Sequence, residues 1–137
     1  MMIEDFVEQL RKTAVYHTVA NPYHHAVQRH NLTRYLHQMV QRQPTVLRVG
    51  EAPGYRGCRL TGIPFVSPAI LQDEPLFSTA HGYLAPTEWE RVRREASATI
   101  MWQTLAQLPR QPLLWNAFPL HPHRPNLPQT NRAPLVK

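Results

Sequence analysis

The chain is short of glycine, cysteine and long apolar runs. Its 137 residues include five glycines and one cysteine. A single cysteine excludes an internal disulfide framework and any four-cysteine metal or iron–sulfur site, and it suits a reducing cytoplasm. No apolar run reaches the ~18 residues that a membrane span needs. Glu4, Asp5 and Glu8 stand where a secretory signal would carry basic and then apolar residues. We therefore expect a cytoplasmic protein without membrane contact.

Carboxylates are also scarce relative to cations. Lys and Arg number 15 against 9 Asp and Glu, which gives a net charge of +6 and a pI near 10.1. An excess of positive charge favours polyanionic partners, and nucleic acid is the first candidate among them. The alternative is a soluble protein that is merely basic. The length allows one domain, residues 1–137, with a modest core.

The N-terminal part of the chain has the apolar spacing of helices. Apolar residues recur at helical intervals over roughly 2–15, and a second stripe follows Asn31, a candidate helix cap. We therefore predict N-terminal helices within 1–43. That second stripe comprises Leu32, Tyr35, Leu36, Met39 and Val40. Pro44 ends this region, and the β-branched run Val46–Val49 predicts the first strand.

The second half contains further start and stop signals. Ser67-Pro68 predicts a short helix through Leu71, because serine caps a helix and proline suits its first position. The capping box that begins at Thr87 predicts a helix over 87–108. Its expected inward face comprises Trp89, Val92, Ala96, Ile100 and Leu105. Residues 113–115 predict a second strand that ends at Asn116, and a proline-rich loop follows.

Two strands joined by a long helical connection fit a right-handed parallel crossover. We therefore predict an α/β protein of three-layer α/β/α type with a small parallel sheet. Two strands alone make a marginal sheet, and parallel strands are usually covered on both faces. We expect the fold to be incomplete, with a C-terminal helix–strand unit missing.

One glycine-rich segment, residues 45–67, stands out as the candidate site. Four of the five glycines lie from Gly50 to Gly62, where the predicted strand opens into a loop. Such a cluster indicates sharp turns and close approach of another group to the backbone. Ligands bind at strand ends of this kind in open α/β sheets.

Three segments carry a resemblance to a known family. They are Gly50-Glu51-Ala52-Pro53-Gly54 with Thr61-Gly62-Ile63-Pro64-Phe65, then the strand with Trp115-Asn116-Ala117-Phe118-Pro119-Leu120-His121-Pro122, then Asn131-Arg132-Ala133-Pro134. In this order they resemble the uracil-DNA glycosylase superfamily, closest to bacterial members with a G-E-A-P-G motif. The resemblance covers most of residues 45–134, with the base-recognition strand and loop over 112–134.

The resemblance implies an enzyme that flips deoxyuridine out of DNA and hydrolyses its N-glycosidic bond. It implies that Phe65 stacks on the base and that Asn116 reads its edge, since an amide both donates and accepts. Glu51 is the implied catalytic carboxylate. The remaining implied substrate-binding residues are Gly50, Ala52, Pro53, Gly54 and Tyr55.

DNA phosphates are candidate partners for Arg56, Arg59, Arg124 and Arg132. We expect neither a metal nor an organic cofactor. This chain departs from the family in three places. Many members have a catalytic carboxylate where Ala52 stands, and many of the G-E-A-P-G type hold an iron–sulfur cluster that Cys58 alone cannot ligate. The family's late His-Pro-Ser loop has no counterpart here, and His121 and His123 match a different segment.

Two alternatives to a catalytically active glycosylase remain. The first is a truncated relative that binds DNA or a nucleobase without efficient catalysis. The second is a half-domain that self-associates through an exposed sheet edge.

Overall fold

The computed structural model describes residues 2–86 and 94–135. Its helices are α1 (Ile3–Lys12), α2 (Ala26–Arg42), α3 (Cys58–Thr61), α4 (Pro68–Asp73) and α5 (Ala96–Leu105). Its strands are β1 (Val19–Ala20), β2 (Leu47–Gly50), β3 (Leu113–Asn116) and β4 (His121–Pro122). Short 3-10 turns span Pro22–His24, Pro75–Phe77 and Thr79–His81. Within the described ranges, no helix combines the length and apolar character that a membrane crossing requires.

The predicted parallel pair is confirmed. β2 and β3 run parallel, in a register that places Leu47 beside Leu113 and Gly50 beside Asn116. The protein is thus a mixed α/β chain with small two-stranded sheets, of which this pair is parallel. Both strands end at the same edge of the sheet, as expected for a site at the carboxyl ends of parallel strands.

The second helix begins earlier than Asn31 suggested. α2 starts at Ala26, and Asn31 is a fully buried residue inside it rather than its cap. The Asn31 side chain donates to the carbonyls of Thr61 and Leu84 and accepts from the Leu84 N–H. Its amide thus ties α2 to the last residue of α3 and to the loop at Leu84, which explains why a good capping residue lies mid-helix. The stripe around it is buried except Val40, which is exposed, and Leu36, which is partly covered.

The helix expected over 87–108 is shorter in its described part. Its capping box, Trp89 and Val92 lie outside the described residues. Glu95 has an extended backbone (φ −122°, ψ 130°), so α5 begins only at Ala96. The expected inward face is also wrong in part: Ala96 is exposed, Ile100 is 66% exposed, and Ala98, Trp102 and Leu105 are buried. By contrast, Ser67 caps α4 as predicted, accepting from the Ile70 N–H.

The C-terminal segment is not entirely loop. β4 pairs antiparallel with β1, which joins the chain after the site strand to a segment about 100 residues earlier. Arg132 reinforces this pairing, because its guanidinium donates to the carbonyls of Thr18 and His123. These contacts hold the C-terminal segment against β1.

The core lies between α1, α2, α4, α5 and β3. It is built mainly from Val7, Leu10, Leu32, Tyr35, Met39, Ile63, Val66, Ile70, Phe77, Tyr83, Trp102, Leu105 and Leu114. The Tyr35 hydroxyl accepts from the Leu114 N–H at 2.8 Å and so attaches α2 to β3. β2 is covered less well: Leu47 and Val49 are 57% and 50% exposed.

Candidate functional site

Strand register brings the first two site residues together. Gly50 and Asn116 are the terminal pair of β2 and β3. The ladder continues beyond them, because the Ala117 N–H donates to the Gly50 carbonyl and the Phe118 N–H donates to that of Glu51, both at 2.9 Å. The loop start at Gly50-Glu51 is therefore held directly above the end of β3.

Phe65 is held in an uncommon backbone conformation. Its φ of +62° lies in the left-handed region, which costs a bulky residue of order 1–3 kcal/mol and tends to persist at functional sites. Two side chains brace this turn. The Trp102 indole donates to the Phe65 carbonyl at 2.9 Å, and the Thr61 hydroxyl donates to the Val66 carbonyl at 2.7 Å. The Phe65 ring is thereby fixed beside the strand ends.

Phe65 and Asn116 meet across Gly50. A Cβ on Gly50 would lie 2.5 Å from Cζ of Phe65 and 2.7 Å from Oδ1 of Asn116. Only a residue without a side chain leaves room for the ring and the amide to converge there. The ring and the amide line a cavity of about 210 Å³. The other lining residues are Gly50, Glu51, Ala52, Gly54, Cys58, Glu95 and Ser97. We call this cavity the base pocket.

The base pocket is small for a binding site. Sites for drug-sized ligands have volumes of roughly 300–1,000 Å³, so this one suits a single planar ring. Asn116 is 5% exposed and Phe65 is partly exposed, so the pocket offers a buried amide beside an accessible aromatic ring. An amide next to a ring is an arrangement that can bind a heterocycle by stacking and by edge hydrogen bonds.

Two carboxyl groups line the pocket in different environments. Glu51, predicted from sequence, has an exposed side chain. Glu95 was not predicted as a site residue, because the sequence placed it inside a helix. Its carboxyl is largely buried, and burial raises its pKa above the ordinary value, partly opposed by the Ser97 hydroxyl. The sequence signal in this region was the capping box at Thr87. It predicted a helix start well before Glu95, so Glu95 was expected within that helix.

Cys58 contributes a buried neutral thiol. Burial raises the pKa of the Cys58 thiol to about 12, an effect that hydrogen bonds from Tyr23 and Asn116 partly oppose. A thiol in this state is a poor nucleophile near neutral pH. Cys58 therefore serves as part of the pocket wall.

A wider cleft adjoins the base pocket. It has a volume of about 680 Å³ and shares Glu51, Ala52, Gly54, Glu95 and Ser97 with the pocket. The residues that line the cleft but not the pocket include Pro53, Tyr55, Arg56, Arg94 and Arg132. Arg94, which the sequence did not single out, is exposed, as is Arg56. Cations thus line the cleft, and a ring-sized pocket opens at its side.

The other predicted arginines have structural partners. Arg132 lines the cleft, but its guanidinium donates to three backbone carbonyls, those of Thr18, His123 and Ala133. The Arg59 guanidinium lies 4.1 Å over the Tyr55 ring and donates to the Tyr55 carbonyl. Arg124 is exposed and lines neither cavity. Of the predicted four, Arg56 is exposed on the wall of the cleft.

Tyr55 is held at the rim of the cleft by the C-terminal segment. Its N–H donates to Oδ1 of Asn131 at 2.7 Å. The Asn131–Pro134 turn, noted in the sequence for its resemblance, thus contacts the glycine-rich loop directly. Tyr55 itself is partly buried and lines the cleft, not the base pocket.

His121 and His123 stay outside the base pocket. His121 is fully buried, its Nε2 lies 3.0 Å from the Thr130 carbonyl oxygen, and burial lowers its pKa to about 4, with Arg59 adding to the effect. In the part of the chain described here, no three His, Cys, Asp or Glu side chains are arranged to hold a metal ion.

Comparison with known proteins returns no match among family models, curated proteins or solved structures.

Proposed function

We propose that this protein is a uracil-DNA glycosylase-type enzyme that excises a flipped uracil from DNA by hydrolysis. The observation that carries the proposal is the convergence of the Phe65 ring and the Asn116 amide across Gly50, beside the Glu51 carboxylate. On this proposal the parallel pair and its helices form part of a three-layer, uracil-DNA glycosylase-like fold.

Base recognition follows from the two groups at Gly50. The Phe65 ring stacks on one face of the base, and the Asn116 amide accepts from N3–H and donates to O4 of uracil. Cytosine presents a lone pair at N3 and an amino group at C4, the reverse pattern. The Asn116 side chain is buried at the end of β3, where Oδ1 faces Gly50, and this placement favours uracil over cytosine.

Glu51 acts on the sugar side. Its carboxylate is exposed at the boundary between the base pocket and the cleft. A carboxylate there stabilises positive charge that develops on the sugar as the glycosidic bond breaks, and it accepts a proton from the attacking water. The Phe118 N–H fixes its backbone through the Glu51 carbonyl.

The cleft carries the DNA strand. Arg56 and Arg94 lie on the cleft wall, where guanidinium groups pair with phosphates on either side of a flipped nucleotide. The excess of basic residues over the whole chain attracts the same partner at longer range.

A second candidate concerns assembly. Leu47 and Val49 of β2 are half exposed, which is unusual for a parallel strand. This favours self-association through the β2 face, in which a second copy covers the strand. Light scattering after size-exclusion chromatography separates a dimer from a monomer, and a well-folded monomer at high concentration removes this candidate.

The function is tested with a uracil-containing oligonucleotide. Excision leaves an abasic site that alkali cleaves, so product is read as a shortened strand. We expect excision by the wild type, strong loss in Asn116→Ala and Glu51→Ala, and wild-type rates in Val49→Ala, whose side chain lines neither cavity. Retained DNA affinity with no excision by the folded wild type contradicts the proposal and favours a binding module.

A further inference from the structure

The glycines of the site loop make room for a second carboxyl group, that of Glu95. A Cβ on Gly57 would lie 2.7 Å from each of the two Glu95 carboxyl oxygens, and one on Gly54 would overlap Oε2. Side chains at these two positions would expel the carboxyl from the base pocket. Gly50, Gly54 and Gly57 therefore each leave room for a side chain that lines the base pocket.

One oxygen of the Glu95 carboxyl has no partner among the described residues. Oε1 accepts from the Ser97 hydroxyl at 3.0 Å. Oε2 is buried, and neither range of described residues supplies it with a hydrogen bond. A buried polar atom without a partner is costly in a folded protein. Since the group lines the base pocket, a bound ligand is positioned to supply the partner.

Glu95 and Glu51 lie in different environments. Glu51 is exposed to solvent. Glu95 is desolvated, which favours its neutral form and raises its pKa, and no cation is paired with it in the described residues. Two carboxyl groups with divergent environments in one pocket form the usual pair of a general acid and a general base.

We propose that Glu95 is the general acid of this site and protonates the base as the base leaves. This rests on the proposed glycosylase function. The C1′–N1 bond breaks and its electron pair passes to the uracil ring, which takes the proton of Glu95. Water adds to C1′ and gives a proton to Glu51. Solvent then reprotonates Glu95 and deprotonates Glu51, so that the net reaction consumes one water molecule.

The test compares two leaving groups under single-turnover conditions. Oligonucleotides carry either deoxyuridine or 5-fluorodeoxyuridine, whose fluorine stabilises the departing anion and lessens the need for a proton. Glu95→Gln retains the shape and a donor but cannot transfer a proton. General acid catalysis contributes about 10²–10⁴-fold. We expect a loss of that size with uracil in Glu95→Gln and a loss at least tenfold smaller with 5-fluorouracil.

The control variant is Asp73→Asn, which neutralises an exposed carboxylate at the end of α4 that lines neither cavity, and it should behave as the wild type. Equal losses on both substrates, or no loss, overturn the assignment of Glu95 while excision by the wild type upholds the proposed function. A wild type that excises neither base refutes the function itself, and the role of Glu95 falls with it.

A second measurement uses the wild type alone, in case Glu95→Gln does not fold. Excision rates are measured for a series of 5-substituted uracils of graded leaving ability. Proton donation makes the rate depend weakly on leaving ability, about tenfold or less between uracil and 5-fluorouracil. A dependence clearly above tenfold means that the base leaves as an unassisted anion, which overturns the proposal.

Discussion

Replacing Gly50 by alanine adds one methyl group at the point where the Phe65 ring and the Asn116 amide meet. The added carbon would lie 2.5 Å from Cζ of Phe65 and 2.7 Å from Oδ1 of Asn116, whereas ordinary contacts of a Cβ are 3.4–4 Å. The ring must therefore retreat by about 1 Å, because close-packed interiors leave little free space. The backbone at Gly50 has no positive φ, so the strain arises from these contacts and not from the alanine backbone.

The magnitude follows from these contacts. Overpacking a well-packed region costs about 1–3 kcal/mol of folding stability. Displacing a substrate-positioning group by about 1 Å costs on the order of 10²-fold in rate. We expect Gly50→Ala to remain folded, to lose about 1–3 kcal/mol in urea unfolding, and to excise uracil about 100-fold more slowly.

Val49→Ala provides the matched control. It removes methyl groups from the preceding residue of the same strand, but this side chain is half exposed and lines neither cavity. We expect it to cost less than about 1 kcal/mol and to leave excision unchanged. A Gly50→Ala variant with the stability and excision rate of the wild type would refute the close approach of Phe65 and Asn116 to Gly50.

Three other changes test the supports of the site. Trp102→Phe keeps a ring in the core but removes the bond to the Phe65 carbonyl, so urea unfolding should show a loss of about 1–3 kcal/mol, and excision should slow. Wild-type excision in that variant would show that Trp102 does not hold Phe65. Asn131→Ala frees the Tyr55 N–H, so trypsin should cut after Arg56 faster while circular dichroism stays unchanged; unchanged cleavage would mean that the bond does not hold the loop. Burial lowers the pKa of His121 from 6.5 to about 4, so the stabilising neutral form is complete above pH 6.5 and is lost as the pH falls toward 4. Urea unfolding should therefore show a loss of about 1–2 kcal/mol in folding stability over this pH range, reduced in His121→Gln; an equal acid dependence in both proteins contradicts this role.

Local signals in the sequence predicted the frame of the site. A β-branched run predicted β2, and a short apolar run before Asn116 predicted β3. Their parallel pairing followed from the long connection between them, because a crossover of that length favours it. Register then placed Gly50 beside Asn116. The Ser67-Pro68 helix start was also predictable, since a side-chain cap acts within one turn.

The parts that escaped prediction depend on contacts between distant segments. β1 and β4 are two residues long, too short for a periodicity, and they pair across about 100 residues. Asn31 lies inside α2 because its side chain bonds to the end of α3 and to a loop, 30 and 53 residues away. Glu95 looked helical, and only the fold shows its extended backbone and its carboxyl packed against Gly54 and Gly57.

The identity of the base released from DNA tests the central claim most directly. Matched oligonucleotides that differ in one position, carrying uracil or cytosine, are incubated with the wild-type protein, and the free base is identified by mass spectrometry. The convergence of Phe65 and Asn116 predicts release of uracil and not of cytosine, with no release by Asn116→Ala. Release of no base by the folded protein, or equal release of uracil and cytosine, would contradict the assignment of this pocket.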